Sequence, residues 1–563
     1  MKEVYDVVIV GGGTNSLSIA GYLGKCGLTV CILEERGECG GGAENTEPMP
    51  GCKIDPHATY LYGGAAPAFE QLELHKFGFR MVHFNVLSGG VTSDGNGQLF
   101  GGNVKNEAAM NLALKKMSAK DLKANELMAT INGDPARLAE LLRSIYWTPP
   151  PPPHISLAME DLPWAKVFRK YNHPLYEDSW NHMPTMELLD TLFESEQMKM
   201  VSAMGSWYNG PHPNWKGTAV PGYCCNMLLG YSCGQPRGGM HSLTHALVRC
   251  AMHYGARIYT NSKVEEIIVE DREAKGVILA DTATARNRKI YADKAVLSNT
   301  HVKPTFLELI PERELDAGFL ERVRGINLKG GSLFVLSLVT REMPRFKGEA
   351  EEMFSNGLYP NCTVINTDSR EAMFNMERVV YSENTHPMRK EDMVLMFLNH
   401  DVFDASCHTP EGYHVFTPIY LEVPPPEYHR DGPLAVNNAK WDIVEVMMEK
   451  IREVAPNLTD DKIVAKFVNT PYDSSLRNMA FVGGNWMGIS QEEEQWYQKK
   501  PLPELSRYRT PIKNLYLCHQ TSYPGGLALQ AVSYNLMHIL IEDLKLRPGE
   551  WWYPSPHFIP SNA

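Results

Sequence analysis

The chain lacks a surplus of basic residues: 54 Lys and Arg stand against 66 Asp and Glu, for a net charge of −12. With no basic stripe interleaved with aromatics either, a nucleic-acid backbone is excluded as a partner. No apolar run approaches the ~20 residues that span a bilayer. The amino terminus runs directly into a strand-like segment, so no secretory or transit leader is expected. The eleven cysteines contain no C-x-x-C spacing, and Cys224-Cys225 is the one adjacent pair. Neither a disulfide framework nor a zinc site is signalled, and no metal is expected. These absences favour a reducing cytoplasmic setting, with at most peripheral membrane contact. No internal repeat is visible.

What is present is enough chain for two or three domains: 563 residues, 43% hydrophobic and 21% charged, the balance of a globular protein. The 27 methionines and 10% aromatics are high. Methionine fills irregular cores and broad apolar pockets.

The chain is organised around Val7-Val8-Ile9-Val10-Gly11-Gly12-Gly13-Thr14-Asn15-Ser16. A β-branched apolar run reads as a buried strand, and a glycine turn follows it at once. Leu17, Ala20, Gly21 and Gly24 then recur at helical spacing. A second strand, Leu28 to Leu33, ends in Glu34-Glu35. That spacing, about 20 residues beyond the glycines, suits a carboxylate that binds the ribose of a nucleotide whose pyrophosphate lies on the helix N-terminus. Ser16 occupies the third glycine position of G-x-G-x-x-G, so the helix must either stand off from the strand or accommodate a hydroxyl.

Farther along, Gly40-Gly41-Gly42-Ala43 lets the backbone approach something bulky, and Lys53 to Tyr60 returns as an extended piece. Residues 61–105 read as helix and hairpin with a turn at Asp94-Gly95-Asn96-Gly97. From 106 to 235 the texture changes: amphipathic helices, the polyproline run Pro149–Pro153, then a stretch rich in Trp, Tyr and Met. This is read as an inserted helical cap. A helix to about 253 is followed by strands near 257–259, 263–270, 275–280, 288–291 and 294–299. Residues 325–475 read as a second, mixed sheet with a helix at 439–453. A last strand–turn–helix runs from Asn514 through Cys518-His519 and Tyr523-Pro524-Gly525-Gly526-Leu527, with Pro524 placed to start a helix over about 527–543. Trp551-Trp552-Tyr553 reads as an exposed aromatic cluster suited to membrane or subunit contact.

Four pieces in this order resemble the FAD-dependent phytoene desaturase and carotenoid isomerase family, with its pyridine nucleotide-disulphide oxidoreductase domain-containing relatives. They are VVIVGGGTNSLSIAGYLGKCGLTVCILEE, GGAENTEPMPGCKIDPHA, GQPRGGMHSLTHAL with GARIYTNSKVEEI, and YRTPIKNLYLCHQTSYPGGLALQAVSYNL. The resemblance implies an α/β fold with a Rossmann-type FAD-binding domain of the glutathione reductase/amine oxidase kind. It is expected to be discontinuous over 1–105, 236–305 and 480–545. The helical cap covers 106–235, the mixed-sheet substrate domain 306–479, and a tail 546–563.

The resemblance places the FAD pyrophosphate on Gly11, Gly13, Thr14, Asn15 and Ser16, and the ribose on Glu34, with Glu35 fitting the spacing almost as well. Gly41, Gly42 and Ala43 fall against pyrophosphate and flavin, Val264 against adenine, and Cys518, Pro524, Gly525, Gly526 and Leu527 around the helix start beneath the ring. His57, His519 and Tyr523 are the candidate catalytic groups. His519 and Tyr523 stand where relatives keep glycine and histidine. Cys518-His519 also admits covalent flavin attachment. His241 and His245 are four residues apart on one helix, a spacing open to a metal, with no acidic partner evident in sequence.

The expected activity is FAD-dependent desaturation or dehydrogenation of an apolar, unsaturated or alicyclic substrate, isoprenoid or terpene-like. A redox-neutral isomerase or hydratase, or a flavin-binding subunit of a hetero-complex, are the alternatives. No second strand–glycine turn–helix with a following acid occurs, so no nicotinamide domain is expected. Electrons would leave to oxygen, a quinone or a carrier protein. Homo- or hetero-oligomers are both open.

Overall fold

A computed structural model of the chain describes residues 3–554 except 63–65, 85–87, 101–110, 112, 133, 172–175, 209, 224–229, 231–232, 356–358, 400–408 and 527–529. Leu527 and the Cys224-Cys225 pair therefore lie outside the described residues.

The opening apolar run forms β1 (Glu3–Val10), followed by α1 (Thr14–Lys25) and β2 (Val30–Leu33). Successive strand residues point to opposite faces, and here both faces are covered. Val7 and Ile9 pack with Leu17, Ala20 and Leu23 of α1, whereas Val8 and Val10 join a separate core with Phe306, Phe319 and Val323. That is why the run is uninterrupted rather than alternating.

Helix α2 (His241–His253) is followed by β3 (Arg257–Tyr259), β4 (Val264–Glu270), β5 (Glu273–Leu279) and β6 (Lys289–Ser298). Later come β7 (Leu515–Leu517) and α3 (Ala531–Asp543). The sheet order is β3-β2-β1-β6-β5-β4, with β7 also paired to β6. The pairs β3–β2, β2–β1, β1–β6 and β6–β7 are parallel, and β4–β5 and β5–β6 antiparallel. Runs expected near 288–291 and 294–299 prove to be one strand. Close packing of α1 against the end of α2 depends on Gly24, where a Cβ would stand 2.5 Å from the Tyr254 carbonyl oxygen.

The second sheet is mixed, in the order 463–469, 333–340, 414–422, 395–398, 362–365, 88–91, 97–100. Leu333–Thr340 is buried at every position, the mark of a central strand. The hairpin Ser88–Val91 and Gly97–Phe100, expected within the 1–105 nucleotide segment, pairs here instead: Ser88–Val91 runs parallel to Cys362–Ile365. Its short alternating pattern carried no sign of which sheet would take it.

The region read as a cap contains helices at Pro135–Tyr146, Pro163–Lys170, Thr185–Leu192 and Glu196–Tyr208. Among the described residues it has no separate core. Trp164, Trp180, Trp207 and Tyr223 share one buried cluster with Phe334, Leu336, Phe416 and Leu421 of the second sheet. The polyproline run is bound through its carbonyls, which accept from Arg507 (to Pro150, 2.6 Å) and Gln498 (to Pro151, 3.3 Å, and Pro152, 3.2 Å).

Two further expectations are corrected. The last helix starts at Ala531 rather than 527, because Gln530 at φ +47° is left-handed and cannot belong to a right-handed helix. Pro524 sits in the turn before it, after a cis peptide bond. The tail aromatics are half-buried within the chain: Trp551 stacks on Tyr22 at 5.9 Å, and Trp552 lies 4.8 Å from Tyr534 and 5.6 Å from Tyr22. Among the described residues no helix is long and apolar enough to cross a membrane.

Candidate active site

The glycine turn after β1 holds its shape through contacts that no other residue permits. Gly11 has φ +89°, and a Cβ at Gly13 would stand 2.7 Å from the Asn299 side-chain amide, at the end that faces Gly13 as oxygen. At Gly12 a Cβ would meet Cys39 Sγ at 2.8 Å and Glu34 Oε2 at 3.0 Å. Helix α1 begins with Gly13 as its cap and no capping side chain. Its first N–H groups are thus free of intramolecular side-chain acceptors, as an anion site at a helix N-terminus requires.

Ser16 resolves the departure from the glycine pattern. It is fully buried, and its hydroxyl donates to the Gly11 carbonyl at 2.5 Å. The turn accepts a hydroxyl there because it has a carbonyl to offer. Asn299, at the end of β6, completes the corner: its amide oxygen accepts from Gly13 N (3.2 Å) and, at 2.7 Å, shares the single Ser16 hydroxyl proton with the Gly11 carbonyl, and its NH2 donates to the Cys518 carbonyl (2.8 Å). One side chain thereby ties the ends of β6 and β7 to the start of α1.

Glu34 and Glu35 separate in role. The Glu34 carboxylate accepts from Gly12 N (2.6 Å) and Arg36 N (2.8 Å) and is buried. Burial raises its pKa against the pull of those two N–H groups. Glu35 is more exposed and pairs with Lys263 at 3.0 Å.

A cavity of about 450 Å3 joins these parts. It is lined at one end by Gly11, Gly12, Gly13, Thr14, Asn15, Glu34, Glu35 and Val264, along its length by Gly41, Gly42 and Ala43, and farther on by His57, His519, Gln520 and Gly526. The glycine segments touch: a Cβ at Gly41 would lie 3.5 Å from Gly13 Cα, and one at Gly42 would meet Phe481 Cζ at 2.7 Å. The bare helix N-terminus, the buried carboxylate at the strand end and the glycine-lined channel between them fit an FAD, whose pyrophosphate would be held by the turn and whose ribose would face Glu34. Beyond them the walls become Tyr208, Met396, Tyr420, Phe481, Trp486 and Met487.

The candidate catalytic residues are placed unequally. His57 lines the cavity with its ring, stacked on Phe481 (4.5 Å) and set edge-on to Trp486 (5.0 Å). Both its nitrogens are committed. Nδ1–H donates to Glu44 Oε1 (2.8 Å), and Nε2 accepts from Ser474 Oγ (3.0 Å). Burial holds its pKa down, in spite of Glu44. Burial alone would raise Glu44, but the His57 N–H and the charges of Arg36 and Arg477 pull its carboxyl down to about 2. His57 therefore anchors the return strand to the helix Pro471–Arg477 and is no free base.

His519 faces the cavity and is held neutral by burial first, and then by His301 and Lys500. Tyr523 does not reach the cavity: it is fully buried against Trp496 and Tyr497, and its hydroxyl donates to the Ile145 carbonyl. Cys518, Pro524 and Gly525 also lie behind the cavity wall rather than on it. Cys518 is in the core beside Tyr516 and Val532, with its thiol pushed far up by burial, an environment that disfavours the thiolate that covalent attachment would need. The rings of His241 and His245 lie 4.5 Å apart and tilted, and Glu38 does come within 3.7 Å of His241. No group of three metal-binding side chains forms among the described residues.

Reasoning from the sequence missed Asn299, Gly12, Glu44, Arg477, Phe481 and Trp486. Asn299 had a signal, since it ends a strand read as returning to the nucleotide sheet. Gly12 and Glu44 lie within or next to glycine segments already singled out, whereas Arg477, Phe481 and Trp486 come from the chain that follows strand 463–469 of the second sheet.

Comparison with known proteins agrees with this geometry. Residues 9–72 match a model described as an NAD(P)-binding Rossmann-like domain, and residues 175–313 match an FAD binding domain. The chain is 25% identical to "Pyridine nucleotide-disulfide oxidoreductase domain-containing protein 2" of Rattus norvegicus, over 97% of this chain and 94% of that one. It is 24% identical to a limonene dehydrogenase subunit of Castellaniella defragrans, over 98% and 97%. To a zeta-carotene-forming phytoene desaturase of Myxococcus xanthus it is 22% identical, over 61% and 59%. Among solved structures, an oxidoreductase from Methanosarcina mazei superposes with TM-score 0.56 at 14% identity, over 95% of this chain and 99% of that one. A putrescine oxidase variant does so at 0.56 and 12%, over 97% and 100%. These superpositions establish the shared α/β architecture.

Proposed function

Starting from an FAD-dependent oxidoreductase with a Rossmann-type nucleotide domain, we propose that the chain desaturates or dehydrogenates an apolar, unsaturated or alicyclic substrate of isoprenoid or terpene type, at C–C or allylic C–H bonds. The observation that carries this is the far wall of the cavity, Tyr208, Met396, Tyr420, Phe481, Trp486 and Met487. It is aromatic and sulfur-rich, the surface that apolar ligands prefer. FAD, when bound, supplies the hydride acceptor.

The side chains bind, orient and exclude water. The Tyr208 hydroxyl donates to the Val394 carbonyl (2.8 Å), so its ring is fixed and its polar end turned away. Tyr420 packs edge-on to Trp486 at 5.3 Å. His57 presents a neutral ring with both nitrogens occupied, and His519 is neutral as well. A site built this way offers no strong base, which suits removal of hydride from a C–H whose cation is stabilised by conjugation. The names of two relatives, a limonene dehydrogenase subunit and a phytoene desaturase, point to the same substrate class.

The test is anaerobic mixing of the FAD-loaded protein with a panel of monoterpenes and polyenes. Bleaching of the flavin band by at least one member is expected, with turnover restored by quinone, oxygen or an artificial acceptor. A full panel without bleaching, alongside bleaching by small polar amines or alcohols, refutes the reading. A second reading, a flavin-binding subunit that acts only with a partner, is favoured by the relative matched over 98% of this chain, which is itself named as one subunit of its dehydrogenase. It predicts bleaching only after the partner is added.

A further inference from the structure

Lys500 lies in the loop before β7, behind the Gly525-Gly526 corner. Its side chain is completely buried, and its Nζ has no hydrogen-bond partner among the described residues. A Cβ at Gly525 would stand 3.5 Å from that nitrogen. The corner belongs to the reacting end of the cavity. A Cβ at Gly526 would lie 3.6 Å from Met487 Cε, and Gln520 Nε2 donates to the Trp486 carbonyl at 2.8 Å. Trp486 in turn touches His57 and Tyr420.

A buried ammonium without a counter-charge is costly, and proteins keep one when something else completes it. Among the described residues no charged side chain does so here. Burial alone moves the Lys500 pKa, down to about 7. The nearby His301 is occupied, with Nε2 on the Gly488 carbonyl (2.7 Å) and Nδ1 accepting from Lys303 N (3.1 Å). Burial holds both His301 and His519 neutral but lowers Lys500 only to about 7, so Lys500 is the group of this corner that a nearby negative charge would hold cationic.

We propose that Lys500 is a positioning residue for the cofactor, placing positive charge behind the Gly525-Gly526 corner so that the anionic form of the flavin ring is favoured over the neutral one. Charge near the ring is one of the few means by which a protein tunes a flavin. The corner is glycine because Gly525 has φ +117°, a conformation that strains any residue with a side chain. The proposal rests on the bound cofactor and not on the identity of the substrate.

Sulfite is a suitable probe. It adds to the oxidised ring by forming one S–N bond, expels nothing, leaves the ring anionic and bleaches it. The full-length FAD-loaded protein is titrated with sulfite, and its midpoint potential is measured by dye equilibration. Lys500→Met removes the amine at nearly constant length, a change that buried charges tolerate. The expected result is at least about a tenfold weaker sulfite affinity and a lower potential in Lys500→Met, with most of both restored in Lys500→Arg. Unchanged sulfite affinity and potential in Lys500→Met overturn the proposal. Should that variant lose FAD or fail to fold, the wild type decides. A midpoint potential above that of free FAD supports the assignment, and one equal to or below it refutes it. Neither probe contains substrate, so failure here leaves the substrate reading standing, and the reverse also holds.

Discussion

Asn299→Ala is the perturbation that best tests how the cofactor site is assembled. The side chain makes three hydrogen bonds, to Gly13 N, Ser16 Oγ and the Cys518 carbonyl, and it is buried. At about 1 kcal/mol net each, these amount to about 3 kcal/mol, with non-additivity lowering the sum because all three share one amide. Gly13 N sits in the turn proposed to receive the pyrophosphate, so part of the loss should fall on binding. If all of it did, FAD affinity would drop about 150-fold; a third of it gives about fivefold. Quenching of FAD fluorescence on titration of deflavinated protein gives the dissociation constant, and calorimetric melting of the holoprotein gives the stability change. Asn299→Asp keeps the two acceptor contacts and sets a carboxylate against the Cys518 carbonyl, so it should bind FAD better than the alanine variant yet melt below wild type. An alanine variant with wild-type affinity and wild-type melting would refute the claim that this residue joins the three corners.

Other expectations follow from the same structure. Tyr523→Phe loses one buried hydrogen bond to Ile145, so melting falls by an amount equivalent to about 1 kcal/mol while flavin reduction rates stay at wild type; a large loss of rate at unchanged stability would return Tyr523 to the catalytic set. Glu44 titrates near 2 in the folded chain against 4.5 when free. Between those values the unfolded state takes up a proton that the folded state refuses, so its contribution is complete above pH 4.5 and is lost as pH falls toward 2. Acid unfolding followed by circular dichroism should therefore show a shallower acid limb in Glu44→Gln, and an identical limb would contradict this. Trp552→Ala should lower melting by the equivalent of about 1–2 kcal/mol through lost packing on Tyr22 and Tyr534; loss of vesicle binding at unchanged melting would instead make the tail a membrane contact.

Much of the nucleotide half was legible in the chain, for local reasons. A strand buried on both faces has to be apolar throughout, a turn at φ +89° strongly favours glycine, and a ribose-binding carboxylate has to end the next strand. Each requirement leaves its mark within about 30 residues, the length of a βαβ unit. The last helix was placed too early, because Pro524 resembles a helix start and nothing local reveals that Gln530 turns left-handed. His57 and Tyr523 looked alike as polar residues near glycine corners. The fold gave one a place on the cavity wall with both nitrogens tied down and buried the other against Trp496 and Tyr497.

The sequence by itself determined the Rossmann unit, its turn, its acid and the return of late segments to the same sheet, because those features rest on backbone conformation and short-range periodicity. Tertiary structure alone decided which sheet took the 88–100 hairpin, that the cap has no core apart from the second sheet, and which polar groups face the cofactor. Those outcomes depend on contacts between residues hundreds of positions apart, such as His57 with Ser474 or Gly13 with Asn299. Such contacts are selected by the total burial of the folded chain and leave no pattern in any short stretch of it.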